Sequence, residues 1–239
     1  MIEFIEASVT ASGIDGERTI IHPLTLRLRE PRIALIGGNG SGKSTIARLC
    51  NGLVLPAQGR VLVSPPGSDL TLEPARDGAA VRRHVGFVFT NPAAQLVMPT
   101  ALEDVALSLR RKIRDRGERD AAARAVLDRF GIADLAERSV HALSGGQQQL
   151  LALASVLAAD PAILIADEPT TLLDLRNSRM ISEVLCSLPQ QLIVATHDLD
   201  LAARCDRVLV IDGGRVIRDS SSPGAGGQRE VIEWYREQA

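Results

Sequence analysis

The chain has 239 residues, 45% hydrophobic and 23% charged, enough to bury one sizeable α/β core or two small ones and too apolar for global disorder. With 27 basic and 29 acidic residues its formal charge is -2, and only 3% of residues are aromatic; the electrostatic and stacking grounds for binding nucleic acid or an anionic membrane are therefore missing. The longest nearly apolar stretch, residues 150–159, follows Gln147, Gln148 and Gln149 and is about half the roughly 20 residues that cross a bilayer, so no spanning segment is expected. Cys50, Cys186 and Cys205 form no CxxC pair and have no histidine at metal-ligand spacing, and the opening Met-Ile-Glu-Phe is unlike a secretory leader. A reducing cytoplasmic setting is expected.

In chain order, β-rich runs fall at residues 2–9, 24–28, 32–36, 60–63, 85–89, 162–166, 192–195 and 207–211, several of them apolar on both faces as in strands buried within layers. Helical patterns at 43–49, 147–158 and 177–188 alternate with them, which makes the core α/β. The stretch 91–142 differs: Thr100-Ala-Leu-Glu and the charged run 110–129 predict helices with solvated faces and no intervening strand, a helical subdomain inserted into the core. Residues 220–227, Ser-Ser-Ser-Pro-Gly-Ala-Gly-Gly, form a flexible connector. The short segment after it carries Trp234 and Tyr235 and is expected to pack on its own domain rather than on a partner. No internal repeat is visible.

The strand at 32–36 runs into Gly37, Gly38, Asn39, Gly40, Ser41, Gly42, Lys43, Ser44 and Thr45, a G-x-x-x-x-G-K-[ST] pattern in the strand-loop-helix setting that motif requires. Glycines let consecutive N–H groups converge on phosphate oxygens, and the following helix adds the positive end of its dipole. Lys43 would neutralise β and γ phosphates and Ser44 would offer a hydroxyl to Mg²⁺. Lys43 and Lys112 are the only lysines in a chain that otherwise uses arginine, which sharpens the assignment.

The apolar strand at 162–166 ends in Asp167-Glu168-Pro169-Thr170, at the edge where open α/β sheets bind ligands. Alone, such a pair reads as an ordinary strand-end turn; downstream of a phosphate loop, Asp167 is suited to hold Mg²⁺ through water and Glu168 to polarise an attacking water. His197, after the strand at 192–195, would stand beside the same γ-phosphate, although a lone strand-end histidine is more often structural. Leu143-Ser144-Gly145-Gly146-Gln147 opens the helix at 147–158 and taken singly is a capped helix start.

Together, in this order, these motifs resemble the nucleotide-binding subunit of ATP-binding cassette (ABC) transporters, and the resemblance spans about residues 2–219. It implies a P-loop ATPase core with an antiparallel β-subdomain and an inserted helical subdomain (about 91–142), one domain over 1–219, and a linker and short helix over 220–239. It also implies ATP and Mg²⁺ as cofactors and a head-to-tail pair of ATPase subunits, a homodimer favoured, in which Ser144, Gly145, Gly146 and Gln147 of one copy cover ATP held by the other. Asp174, in Thr171-Leu-Leu-Asp, matches the family's dimer-facing loop. The segment Val88-Phe89-Thr90-Asn91-Pro92-Ala93-Ala94-Gln95, followed by Pro99-Thr100-Ala-Leu-Glu-Asp-Val, is similar to ATPases of energy-coupling factor (ECF) importers of the cobalt, nickel and biotin groups. The implied partners are a transmembrane coupling subunit and a substrate-binding membrane protein at the cytoplasmic face of the membrane. Two departures stand out. The residue after Val88-Phe89, a glutamine in the family, is Thr90, so either Thr90 or Gln95 takes the metal-linked coupling role. The adenine-stacking aromatic expected near Gly13 or Ile14 is missing, with no aromatic between Phe4 and Phe87. Other ABC importers or exporters are the nearest rivals, followed by a soluble ABC protein of DNA repair, translation or cluster assembly, of which the repair kind should carry a long coiled coil and the translation kind two cassettes. A binding module without hydrolysis is disfavoured because Lys43, Asp167, Glu168 and His197 are all present.

Overall fold

The computed structural model describes residues 1–13, 16–222, 224 and 227–238. The chain opens with a long hairpin, β1 (Ile2–Gly13) and β2 (Gly16–Leu28), and continues through β3 (Arg32–Ile36), α1 (Lys43–Asn51), β4 (Gln58–Val63), α2 (Pro74–His84) and β5 (Val85–Val88). Then come α3 (Ala101–Leu109), α4 (Arg116–Arg129), α5 (Gly145–Ala158), β6 (Ile163–Asp167), α6 (Leu175–Ser187), β7 (Gln191–Ala195), α7 (Leu199–Ala202), β8 (Arg207–Asp212), β9 (Arg215–Asp219) and α8 (Gly227–Gln238).

The strands form two sheets. One has the order β2-β1-β4 and is antiparallel throughout; the other has the order β5-β6-β7-β3-β8-β9 and is parallel except for the edge pair β8-β9. Period-2 alternation explains the layers. Ile33, Leu35, Ile163, Ile165, Ile193, Leu209 and Ile211 point into a core shared with the antiparallel sheet and α1. Their neighbours Ala34, Ile36, Leu164, Ala166, Leu192, Val194, Val208 and Val210 point into a second core under α3, α5 and α6. A strand apolar on both faces is what a sheet between two cores demands.

Helix starts are fixed by their caps. Thr100 and Glu103 form a reciprocal capping box on α3, and the Asp115 carboxylate accepts the Glu118 N–H at 2.9 Å to start α4. The charged run expected to be helical from residue 110 therefore turns first and becomes helical only from Arg116. Between residues 91 and 142 the regular structure is helical apart from one isolated bridge, Thr100 to Ser139. At the C-terminal end, α8 buries Val231 and Ile232 against the core, with Trp234 and Tyr235 half-buried there and the Arg218 guanidinium 4.3 Å from the Trp234 ring centre. Of the connector, Pro223, Ala225 and Gly226 lie outside the described residues, as does Ile14. No helix among the described residues is long and apolar enough to cross a membrane.

Candidate functional site

The parallel sheet brings three chain segments to one edge. Strands β6, β7 and β3 are neighbours, with Asp167 in register with Ala195 and Ala195 with Leu35. The loop after β3, the acids ending β6 and the histidine after β7 therefore emerge side by side. In the loop, Gly42 caps α1 with φ of 110°, and a Cβ there would lie 2.7 Å from Ile21 Cδ1; at Gly37 one would collide with the Ile211 carbonyl oxygen. Only glycine fits at either position. Lys43, 5% exposed, donates from Nζ to the carbonyls of Gly37 at 2.7 Å and Gly38 at 3.0 Å and stands 3.7 Å from Glu168 Oε1. Ser41 Oγ is buried without a hydrogen-bond partner among the described residues. A buried ammonium whose hydrogen bonds go to neutral carbonyls, with one carboxylate at 3.7 Å, an orphaned hydroxyl and a helix N-terminus fit an anion with several oxygens. The cleft over this loop holds roughly 370 Å³ and is lined by residues 39–45 with Arg18 and Ile20 of β2.

Asp167 is 1% exposed; its Oδ1 accepts the Ser44 hydroxyl at 2.7 Å, its Oδ2 lies 3.3 Å from Arg48 Nη2, and its carbonyl accepts the Thr90 hydroxyl at 2.9 Å. A serine hydroxyl and a carboxylate this close make the hard-oxygen donor set that suits Mg²⁺ alongside phosphate and water. Glu168 has φ of 51°, a region a side-chain-bearing residue seldom occupies. Its N–H donates to the Ala195 carbonyl at 2.8 Å, which fixes that turn. Glu168 Oε2 lies 2.8 Å from His197 Nδ1 and accepts the Thr171 hydroxyl at 3.0 Å. An ionised carboxylate can only accept, so the His197 proton sits on Nδ1 in this contact.

Ser144 caps α5 and forms a capping box with Gln147: the Gln147 N–H reaches Ser144 Oγ at 3.4 Å and the Ser144 N–H reaches Gln147 Oε1 at 2.9 Å. Ser144 and Gly145 are exposed, and no hydrogen bond among the described residues joins 144–147 to the phosphate loop. Gly146 is buried against Asn177 of α6, whose N–H and Nδ2 donate to Asp174 Oδ1 at 2.8 Å and Oδ2 at 3.0 Å. The start of α5 and the Asp174 loop thus meet through one side chain. Gln95 lies elsewhere: its Oε1 accepts the Phe89 N–H at 3.1 Å and its Nε2 faces the Phe87 carbonyl at 3.4 Å. Those bonds engage both ends of the amide that the sequence offers to a metal and leave Oε1 one free lone pair.

Arg48, Thr171, Asn177 and Arg18 were not singled out from the sequence. Arg48 stands four residues after Ser44, so the two share one face of α1, and Thr171 follows Glu168 by three; local spacing carried a signal for both. Asn177 and Arg18 meet the site through pairings between distant elements.

A family model described as ABC transporter matches residues 22–171. The biotin transport ATP-binding protein BioM of Rhizobium etli is 44% identical over 236 residues, covering 99% of this chain and 98% of that protein. Among solved structures, the post-hydrolysis dimer of the ATP-binding cassette MJ0796 bound to ADP and Pi aligns with a TM-score of 0.81 and 28% identity, covering 94% of this chain and 100% of that one. CbiO1 from Clostridium perfringens, described as part of the ABC transporter complex cbiONQ, aligns with a TM-score of 0.79 and 29% identity over 99% and 92% of the two chains. Fold, edge geometry and these likenesses agree: this chain belongs to the ABC transporter family, as one of its ATP-binding and ATP-hydrolysing cassettes.

Proposed function

We propose that this chain energises an importer for a small solute, biotin before a cobalt or nickel ion, as an ATPase dimer docked on membrane subunits at the cytoplasmic face. The observation that carries the chemistry is Glu168, wedged between the Lys43 ammonium and the His197 ring at the carboxyl edge of the sheet. ATP would replace the Gly37 and Gly38 carbonyls as the partner of Lys43, exchanging neutral acceptors for charged phosphates. Residues 37–45 then cradle the phosphates by their N–H groups. Ser44 and Asp167 are the groups to hold Mg²⁺, which when bound neutralises charge on the β and γ phosphates. Glu168 takes a proton from the attacking water, while His197 and Thr171 hold its carboxylate in place.

The start of α5, Ser144 to Gln147, with Ser144 and Gly145 exposed, would complete the site of a second copy, which explains why one chain carries two helix N-termini suited to phosphate. The dimeric MJ0796 cassette supports this pairing. Within one domain over 1–219, the helical insertion 91–142 is the face for the membrane subunit. It carries a groove of roughly 510 Å³ lined in part by Met98, Leu102, Glu103, Arg110 and Arg119, and Val97 stands out 69% exposed. The solute assignment is supported by the end-to-end likeness to BioM, and CbiO1 supports partnership with membrane proteins. The test is to express the chain with its candidate membrane partners, recover it from membranes by a tag, and measure ATP-dependent uptake in vesicles. Labelled biotin should accumulate. Uptake of nickel or cobalt instead would reassign the solute, and recovery only in membrane-free complexes would overturn the transport role.

A further inference from the structure

The cleft over the phosphate loop has two walls, residues 39–45 and the pair Arg18 and Ile20 on β2. β2 is locked beside the loop: the Gly214 N–H donates to the Ser41 carbonyl at 2.8 Å and the His22 N–H to the Gly214 carbonyl at 3.0 Å. Ile21 also packs under Gly42, and Arg18 is registered against Ala11 of β1. Arg18 is exposed, and its side chain makes no hydrogen bond or ion pair among the described residues. The wall facing the phosphate loop is thus a planar cation beside a branched aliphatic side chain. No aromatic residue lies between Phe4 and Phe87 to take that place.

We infer that Arg18 stacks its guanidinium plane on the purine of the bound nucleotide, with Ile20 as the aliphatic surface beside it; this rests on the reading of the cleft as an ATP site. A guanidinium is flat, delocalised and weakly hydrated, so it lies parallel to a π-face and covers more of it than a strongly hydrated ammonium does. Such a contact reads the face of the base rather than its edge. ATP and GTP are therefore bound with affinities within a few fold of each other, since every base offers a π-face. The competing role for the same side chain is an ion pair with the phosphates.

The test measures binding of ATP, GTP and inorganic tripolyphosphate to the full chain and to Arg18→Ala, Arg18→Lys and Arg18→Tyr. Arg18→Ala should weaken ATP and GTP alike by about 3- to 30-fold and leave tripolyphosphate unchanged. Arg18→Tyr should restore nucleotide affinity and Arg18→Lys should not. Equal weakening of tripolyphosphate, rescue by lysine, or an unchanged ATP affinity in Arg18→Ala would each overturn stacking while leaving the ATP site standing. A wild-type chain that binds none of the three probes would remove the ATP site and the inference with it.

Discussion

Gly146 offers a direct test of whether the start of α5 and the Asp174 loop move as one body. A Cβ at this position lies 2.5 Å, 2.6 Å and 2.9 Å from Cγ, Oδ1 and Nδ2 of Asn177. Asn177 cannot yield freely, because its N–H and its amide nitrogen are both bonded to Asp174. Forcing a methyl group into such a contact costs about 1–3 kcal/mol. Disturbing the α6 cap adds about 1 kcal/mol, and the better helix propensity of alanine returns up to about 1. Gly146→Ala should therefore destabilise by about 1–3 kcal/mol. Asn177→Ala removes the three clashing atoms but keeps the backbone N–H that Asp174 caps, so the double variant should recover most of that loss. Urea unfolding of the wild type, both single variants and the double variant gives the coupling energy, expected at about 1–3 kcal/mol. ATP-driven dimerisation, followed by light scattering, should weaken in Gly146→Ala and return in the double variant. Stabilities that add to within about 0.5 kcal/mol would show that the two sites do not touch in the way described.

Glu168→Gln keeps the shape of the side chain but removes the proton acceptor; phosphate release should fall roughly 10²–10⁴-fold with ATP still bound, and unchanged turnover would take Glu168 out of that role. A pH effect follows from Asp219. Burial acts to raise its carboxyl, but the Arg207 guanidinium, at 2.6 Å and 2.9 Å, and the Ser221 N–H and hydroxyl outweigh burial and hold it below its ordinary value. A carboxylate depressed by folding stabilises fully above its unfolded value of about 3.9 and loses that contribution as pH falls through the folded value. The stability gap between wild type and Asp219→Asn should be constant near neutral pH and narrow below about pH 4. Denaturant titrations across that range check it, and a gap that does not change with pH contradicts the assignment.

What the sequence makes legible follows from what constrains it. Buried strands such as β6 and β7 must be apolar on both faces, and the phosphate loop needs glycine and lysine at fixed spacing because backbone geometry allows few alternatives. Edge and surface elements carry weaker marks. β9, Arg-Val-Ile-Arg-Asp, is half exposed and shows no clear alternation, and α2 buries only Pro74 and Val81, so neither stands out. The first half of β2 is solvent-facing on most of its residues, which is why only its apolar end at 24–28 is visible as a strand. The same limit governs the site. Motif order names Lys43, Asp167, Glu168 and His197, but the contacts of Asn177 with Gly146 and the placing of Arg18 beside the loop depend on pairings between elements far apart in the chain.

The choice between Thr90 and Gln95 turns on which of them is joined to the acids. Thr90 donates its hydroxyl to the Asp167 carbonyl, whereas Gln95 closes the loop 89–95 onto β5. Further along the same segment, the N–H groups of Val97 and Met98 both donate to Asp104 Oδ1, at 2.9 Å and 3.1 Å. The other oxygen of that buried carboxylate takes the Ser155 hydroxyl of α5 at 2.8 Å. The exposed segment around Val97 is thus tethered at one end to the strand bearing Asp167 and at the other to α5, the helix that Ser144 caps. A shift at Asp167 on ATP binding has a direct route into that segment through the Thr90 bond. Thr90→Val deletes the bond at nearly constant shape. It should lower solute uptake per ATP hydrolysed by about 2- to 30-fold, with the ATPase rate of the isolated chain little changed. Gln95→Ala loosens the loop itself and should lower uptake and hydrolysis together. Uptake and phosphate release measured in the same vesicles give the ratio, and a ratio that Thr90→Val leaves intact would assign the route to another residue.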